Sequence, residues 1–113
     1  MNQSTCIFCK IVAGEIPSKK VFEDEEFFAF EDINPQAPVH ILIVPKKHLV
    51  DLFDGSQDPA LLGELVARSA AIARERGIKD YRFLTNTGRE AGQAVFHLHF
   101  HLLSGRRMGW PPG

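Results

Sequence analysis

The sequence predicts a single α+β domain whose sheet is mainly antiparallel. Several short stretches rich in aromatic and β-branched residues follow one another closely along the chain, which favours strands that pair with their neighbours. Only the stretch from residue 58 to 77 repeats apolar residues at helical spacing over several turns. Many short strands beside one long helix are typical of an α+β fold, and 113 residues suffice for one domain spanning 1–113.

Two helices are predicted, one short and one long. Residues 8–13 form the short one, which Gly14 ends. The long helix begins with Asp58 as N-cap and Pro59 in the first helical position, where the missing N–H costs nothing. Gly77 is its C-cap.

Five strands are predicted, and the third of them is the most apolar. That third stretch, VHILIVP, is hydrophobic almost throughout and stops at Pro45, which predicts a central strand covered on both faces. The polar EDEE between the first two strands suits a hairpin turn. The predicted strands span residues 20–24, 27–32, 39–45, 81–86 and 94–103.

Composition and charge argue against several classes of partner. The net charge is −1, and the 13 basic residues are scattered, so the basic patch of a nucleic-acid-binding protein is missing. No run approaches the ~20 apolar residues of a membrane span, and the polar N-terminus predicts no secretory signal. Both cysteines lie in one C-x-x-C motif, which in a reducing cytoplasm indicates metal or thiol chemistry.

The last predicted strand, AVFHLHFHLL, places His97, His99 and His101 two residues apart. Because side chains alternate along a strand, these histidines are predicted to share one face with Val95 and Leu103, spaced ~6.6 Å apart. The opposite face would pack on the long helix through Phe96, Leu98, Phe100 and Leu102.

Two chemistries fit three such histidines. Together they could bind a catalytic zinc with an open fourth position. Alternatively, one histidine acts as nucleophile or base while its neighbours orient it and the substrate. In that case Cys6, Cys9, a distant histidine and one member of the triplet would complete a closed, structural zinc site.

The stretch TGREAGQ before the strand is predicted to be a loop with two glycines, Gly88 and Gly92. Its backbone amides could hold an anionic oxygen, as phosphoryl transfer through histidine requires. The simpler interpretation is that the glycines serve a turn.

The run from His97 to Leu103 resembles the signature of the histidine triad (HIT) family, His-apolar-His-apolar-His-apolar-apolar. FEDEEFFAFEDINPQAPVHILIVPKKH, YRFLTNTGREAGQAVFHLHFHLL and GRRMGWPPG further resemble its HINT branch, the histidine triad nucleotide-binding proteins. The resemblance covers nearly the whole chain from Cys6 onward.

The resemblance implies a five-stranded antiparallel sheet with two helices, and a homodimer with a continuous ten-stranded sheet. It implies hydrolysis of the P–N bond of purine nucleoside 5′-phosphoramidates through a nucleotidyl-histidine intermediate, without a catalytic cofactor. The alternatives are a dinucleoside polyphosphate hydrolase or nucleotidyl transferase of the same family, or a nucleotide-binding scaffold with little turnover. A cytoplasmic location is expected.

The resemblance also implies roles for single residues. His99 would be the nucleophile, His101 would contact the phosphate and leaving group, and His40 would support the site. Phe8, Phe30 and Ile33 would form the wall against the base, and Asp32 would bind the ribose hydroxyls. The phosphate and leaving group would be held by Asn86, Gly92, Gln93, Ala94 and Val95. Trp110 would lie in a tail that reaches the partner's site. From the residues alone, the base wall could be core, the carboxylate could belong to a turn, and the tail could be solvated.

Two features depart from many HINT proteins. Ala94 stands where serine is common, which leaves only a backbone N–H to reach the phosphate or amine. The cysteine pair resembles that of zinc-containing family members, whose ligands correspond to Cys6, Cys9, His48 and His97.

Overall fold

A computed structural model describes residues 5–113 and shows a five-stranded antiparallel sheet in the order β1-β2-β3-β5-β4. The predicted α+β class is confirmed. The polar residues 1–4, which enter the prediction that there is no secretory signal, lie outside the described residues. The elements are α1 Ile7–Val12, β1 Lys20–Glu23, β2 Phe27–Glu31, β3 Val39–Pro45, α2 Leu52–Gly55, α3 Pro59–Glu75, β4 Arg82–Leu84, a 3-10 helix Arg89–Ala91 and β5 Phe100–Ser104.

Strand β3 lies at the centre of the sheet and is covered on both faces, as predicted. It pairs antiparallel with β2 on one side and with β5 on the other. Ile41 and Ile43 belong to the core beneath α3, whereas Leu42 and Val44 belong to a second core beneath α1. The sheet therefore separates two apolar cores.

Strands β1 and β2 form the predicted hairpin. Asp24 shapes its turn, since its Oδ1 accepts hydrogen bonds from the backbone N–H groups of Glu26 at 2.9 Å and Phe27 at 2.8 Å.

Helix α3 begins as its sequence predicts. The Asp58 carboxylate accepts a hydrogen bond from the backbone N–H of Leu61 at 3.2 Å, and Pro59 is the first helical residue. Leu61, Leu65 and Ile72 recur at helical spacing and are buried against the sheet.

The structure has one more α-helix than the two that the resemblance implies. Helix α2 follows the loop after β3, and Asp51 caps it by accepting a hydrogen bond from the N–H of Asp54 at 3.0 Å. Its four residues are too few to show a helical repeat in the sequence.

The last strand is shorter than predicted, because residues 94–99 do not join the sheet. On one side the pairing ends at Ile43 and Phe100, just before Pro45, which has no N–H to donate. On the other side it ends at Leu84 and His101, because β4 spans three residues rather than the predicted 81–86. His97 and His99 therefore precede the strand, and only His101 lies in it.

The predicted packing of the opposite face holds in part. Leu98, Phe100 and Leu102 lie in the core beneath α3. Phe96 is instead half-buried, with the Arg89 guanidinium 5.4 Å from the centre of its ring.

No helix within residues 5–113 is long and apolar enough to cross a membrane.

Candidate active site and metal centre

Two cysteines and two histidines meet where three segments converge. Cys6 is the N-cap of α1, Cys9 lies one turn later, His48 follows β3, and His97 precedes β5. Cys9 Sγ is 3.2 Å from His48 Nδ1 and 3.5 Å from His97 Nδ1, and Cys6 Sγ is 3.4 Å from His97 Nδ1. All four potential ligand atoms lie within 4.8 Å of one another.

The donor set fits zinc. Ligands of a tetrahedral zinc at standard Zn–S and Zn–N lengths are about 3.5 Å apart, close to the separations observed here. His97 Nε2–H donates to the Pro45 carbonyl at 2.8 Å, which leaves the Nδ1 lone pair directed at the thiols. His48 Nδ1 lies on the same cluster. Two thiols and two imidazoles form a closed set of the structural kind.

The protonation of these groups follows their burial. Burial raises the pKa of the Cys9 thiol to about 11, with smaller contributions from Cys6. Burial lowers the pKa of His97 to about 4, although its bond to Pro45 opposes the shift. His97 is thus a neutral ligand at neutral pH, whereas a bound cation would have to displace the thiol protons.

His99 presents a lone pair at Nε2. Its Nδ1–H donates to the His97 carbonyl oxygen at 2.7 Å, which fixes the tautomer. Burial lowers the pKa of His99, against opposing contributions from that bond and from Asp32. The edge-to-face ring of Phe8, with centroids 5.0 Å apart, holds the imidazole in place.

His101 has the opposite tautomer, fixed by a chain of hydrogen bonds. The Gln36 backbone N–H donates to His40 Nδ1 at 3.0 Å, so the proton of neutral His40 is on Nε2. That Nε2 lies 2.9 Å from His101 Nδ1, which must accept, and the His101 proton is therefore on its own Nε2. Among the described residues this buried Nε2–H has no acceptor. The neighbouring imidazoles thus differ at Nε2: His99 offers a lone pair there, and His101 offers an N–H donor.

The pKa values of this pair keep both rings neutral. Burial lowers the pKa of His101 to about 4, with smaller contributions from the neighbouring His99 and His40 and against the attraction of Asp32. Burial also lowers the pKa of His40 against the attraction of Asp32, whose Oδ2 lies 3.4 Å from His40 Nε2.

The predicted base and ribose residues divide between core and surface. Phe8 and Phe30 are buried, with centroids 5.5 Å apart, and Val95 packs against the same core. Asp32 is half-buried, and its Oδ1 also accepts a hydrogen bond from the N–H of a turn residue. Two of the predicted binding residues, Ile33 at 97% and Trp110 at 84%, are almost fully exposed in the single chain.

The glycine loop is locked by its own hydrogen bonds. Gly88 N–H donates to Gln93 Oε1 at 2.9 Å, and Gly92 N–H donates to the Arg89 carbonyl at 3.0 Å. These two amides are therefore already used within the loop, and the part of Gly92 in substrate binding stays a prediction. Among the described residues, the N–H groups of Ala94 and Val95 have no acceptor and are free to donate to a ligand.

Gln93 holds this loop rather than offering its side chain to a ligand. Both N–H groups of its amide are used, by the carbonyls of Val50 at 2.8 Å and Val95 at 3.2 Å. The Asn86 side chain lies beside Gly92, since a β-carbon added to this glycine would be 3.7 Å from Asn86 Nδ2.

Three contributors to the site are absent from the sequence-based prediction. Thr85 Oγ1 donates to the His99 carbonyl at 2.7 Å, the Gln36 N–H orients His40, and the Pro45 carbonyl orients His97. Two of these groups are backbone atoms, which no residue type reveals. The threonine lies in a strand-like stretch where it is an ordinary residue.

Comparison with known proteins shows the family of this chain. The HIT domain matches residues 13–108. An uncharacterized HIT-like protein of Synechocystis is 50% identical over 109 residues, covering 95% of this chain and 96% of its own. A 14 kDa zinc-binding protein of maize is 46% identical over 117 residues, covering 100% and 91%. The crystal structure of a HIT family hydrolase from Legionella pneumophila superposes with a TM-score of 0.92 at 47% identity, covering 96% of this chain and all of that one. With most of its length matched in sequence and fold, the chain belongs to the HIT domain family.

Proposed function

We propose that this protein is a hydrolase of purine nucleoside 5′-phosphoramidates and belongs to the HINT branch. The observation that carries the proposal is the pair of opposite tautomers, a lone pair on His99 Nε2 beside an N–H on His101 Nε2. A displacement at phosphorus needs a nucleophile and, next to it, a donor for the charge that develops on oxygen or on the leaving group.

In the first step, the His99 Nε2 lone pair forms a bond to the α-phosphorus and the P–N bond to the amine breaks. The leaving nitrogen departs as an amine with a proton acquired from solvent. The His101 Nε2–H donates to a phosphoryl oxygen or to that nitrogen, and the free N–H groups of Ala94 and Val95 are further donors.

In the second step, water attacks the phosphorus and the bond to His99 breaks. The water proton returns to solvent, and the products are the nucleoside monophosphate and the regenerated imidazole. Throughout both steps the His97 carbonyl accepts from His99 Nδ1–H, which stabilises the positive charge on the phosphorylated ring.

The test is to incubate the protein with an adenosine phosphoramidate, follow AMP release and trap the adenylylated protein. We expect the adduct on wild type and none on His99→Ala, with AMP release lowered at least ~1000-fold, as for loss of a covalent nucleophile. Circular dichroism controls for folding. Normal turnover by His99→Ala would contradict the mechanism. Cleavage of dinucleoside polyphosphates without cleavage of phosphoramidates would favour the alternative hydrolase.

We further propose that Cys6, Cys9, His48 and His97 bind one structural zinc ion. Support comes from the fit of the four donors and from the zinc-binding name of the maize relative. Bound zinc would crosslink α1, the loop after β3 and the segment before β5, without taking part in the reaction. Metal analysis should find one zinc per chain in wild type and a large loss in Cys9→Ser. A wild-type protein purified without chelator and lacking zinc would contradict this.

We also propose a homodimer that continues the sheet. Strand β4 lies at the edge of the sheet, where its outer backbone groups are free to pair with a second copy. A groove of about 1100 Å³, lined by residues 77–82 and 104–108, adjoins it and would receive part of the partner. Sedimentation should give twice the chain mass of 12.7 kDa. A concentration-independent monomer would contradict the proposal.

A further inference from the structure

Thr85 lies where the pairing of β4 with β5 ends. The last pair in that ladder is Leu84 with His101, so beyond it β4 no longer pairs with β5, although Phe100 still pairs with Ile43 of β3. At this point the Thr85 Oγ1–H donates to the His99 carbonyl oxygen at 2.7 Å. A side-chain hydroxyl thus takes the place of the backbone N–H that a continued ladder would supply.

The peptide that carries His99 depends on such substitutes. On the β3 side the last pair is Ile43 with Phe100, and the Pro45 carbonyl beyond it accepts from the His97 imidazole instead. Two further hydrogen bonds hold this segment. The N–H of Leu98 donates to the Leu49 carbonyl at 2.6 Å, and His99 Nδ1–H donates to the His97 carbonyl. Of these, the Thr85 hydroxyl alone holds the carbonyl of the nucleophile.

We propose that Thr85 is a positioning residue for the attacking imidazole. Its hydroxyl fixes the plane of the peptide bond after His99 and thereby the position of Nε2 relative to phosphorus. This inference rests on the proposed function, because it assigns a purpose to the precise placement of His99. A displacement of about 1 Å at the reacting atom can cost on the order of 100-fold in rate, so a partial loosening should cost about 10-fold.

The chain offers an isosteric variant and a matched control. Thr85→Val keeps the shape and removes the hydroxyl, and Thr85→Ser restores it. Ser69→Ala removes a similar bond in α3, where the buried Ser69 Oγ donates to the Leu65 carbonyl at 2.8 Å. Ser69 takes no part in the proposed reaction or in the proposed dimer contact.

The experiment measures the single-turnover rate of adenylylation by an adenosine phosphoramidate, together with the Kd of AMP. We expect Thr85→Val to lower the rate about 10-fold while the Kd changes less than about 3-fold, since binding groups remain in place. Thr85→Ser should recover most of the rate. Ser69→Ala should keep the wild-type rate even if its melting temperature falls as much as that of Thr85→Val.

Equal losses of rate in Thr85→Val and Ser69→Ala would overturn the proposal, as would an unchanged rate in Thr85→Val. Hydrogen exchange provides a readout without substrate: peptides covering 95–101 should exchange faster in Thr85→Val than in Ser69→Ala. If wild type is inert on phosphoramidates, the proposed function fails. The exchange comparison then decides separately whether Thr85 holds the segment, and equal exchange in the two variants overturns that role.

Discussion

At the scale of single residues, a backbone N–H group sets the polarity of the site. The Gln36 N–H donates to His40, which donates to His101, and this order leaves the outer nitrogen of His101 protonated. In the proposed reaction, His40 would thus act through its neighbour, as a positioning residue rather than a catalytic one.

His40→Ala should therefore lower kcat most for substrates with poor leaving groups. Without His40 the ring of His101 can adopt either tautomer and rotate, so we expect a loss of about 10-fold to 100-fold on an alkylamine phosphoramidate. On a nitrophenyl phosphodiester of adenosine, whose leaving group needs little protonation, kcat should fall much less. Gln36→Ala is the control, because it keeps the backbone N–H. Equal losses on both substrates would show that the tautomer is not what His40 provides.

The dependence of the rate on pH also belongs to this scale. Burial lowers the pKa of His99, so its neutral, nucleophilic form persists below the usual histidine value of about 6.5. We expect kcat/KM to be level from pH 8 to 6.5 and to fall only below that, as His99 is protonated. A pH–rate profile measures this, and a half-point above 6.5 would be inconsistent with a buried neutral nucleophile.

At the scale of elements, α3 is the main stabilising partner of the sheet. Leu65 is completely buried between the helix and the strands. Leu65→Ala should lower the free energy of unfolding by about 3 kcal/mol, through lost burial and the cavity that remains. Urea unfolding measures the loss, with Glu75→Ala at the exposed end of the helix as control. The rate per folded molecule should not change, since Leu65 lies in the core beneath α3, whereas His97 and His99 contact Phe8 of the core on the other face of the sheet.

Elements with a strong local pattern are predictable from the sequence. Helix α3 carries its own cap and its own apolar repeat, and β3 is an almost continuous apolar run that ends at Pro45. The extent of β5 is not predictable in this way, because His97 and His99 alternate like strand residues although their partners run out. Where a strand ends depends on the lengths of β3 and β4, which are not local properties of the histidine stretch.

The site was predictable to a similar degree. Alternating histidines and a C-x-x-C motif indicate chemistry by themselves, and the resemblance separated His48 and His97 from the other histidines. The structure brings Cys6 and Cys9 to both of these. The glycine loop was harder, because a pattern of glycines does not show whether their amides are already used.

At the scale of the whole molecule, the buried histidines make stability depend on pH. The pKa values of His40, His97, His99 and His101 are all lowered by burial, to about 4 for His97 and His101. Between pH 6.5 and 4 the unfolded chain therefore binds more protons than the folded one. Their contribution to stability is complete above pH 6.5 and is lost as the pH falls towards 4.

The urea midpoint should accordingly be lower at pH 5.0 than at pH 7.5. His101→Gln should reduce the difference, because it removes one of the groups that titrate in this range. Measuring with and without added chelator separates the effect of protons on the histidines from their competition with a metal. Identical midpoints at the two pH values would contradict the buried, neutral state of these rings.

The alternation of side chains along β3 has a consequence for how this protein can change. Ile41 and Ile43 point to the core beneath α3, whereas His40, Leu42 and Val44 alternate towards the side of the site. Substitutions at Ile41 and Ile43 should therefore alter thermal tolerance without changing the site, whereas those at the even-numbered positions change the core that carries Phe8 and, with it, the site. Laboratory evolution can thus select for robustness at the odd-numbered positions and combine the resulting variants with variants selected for new substrates.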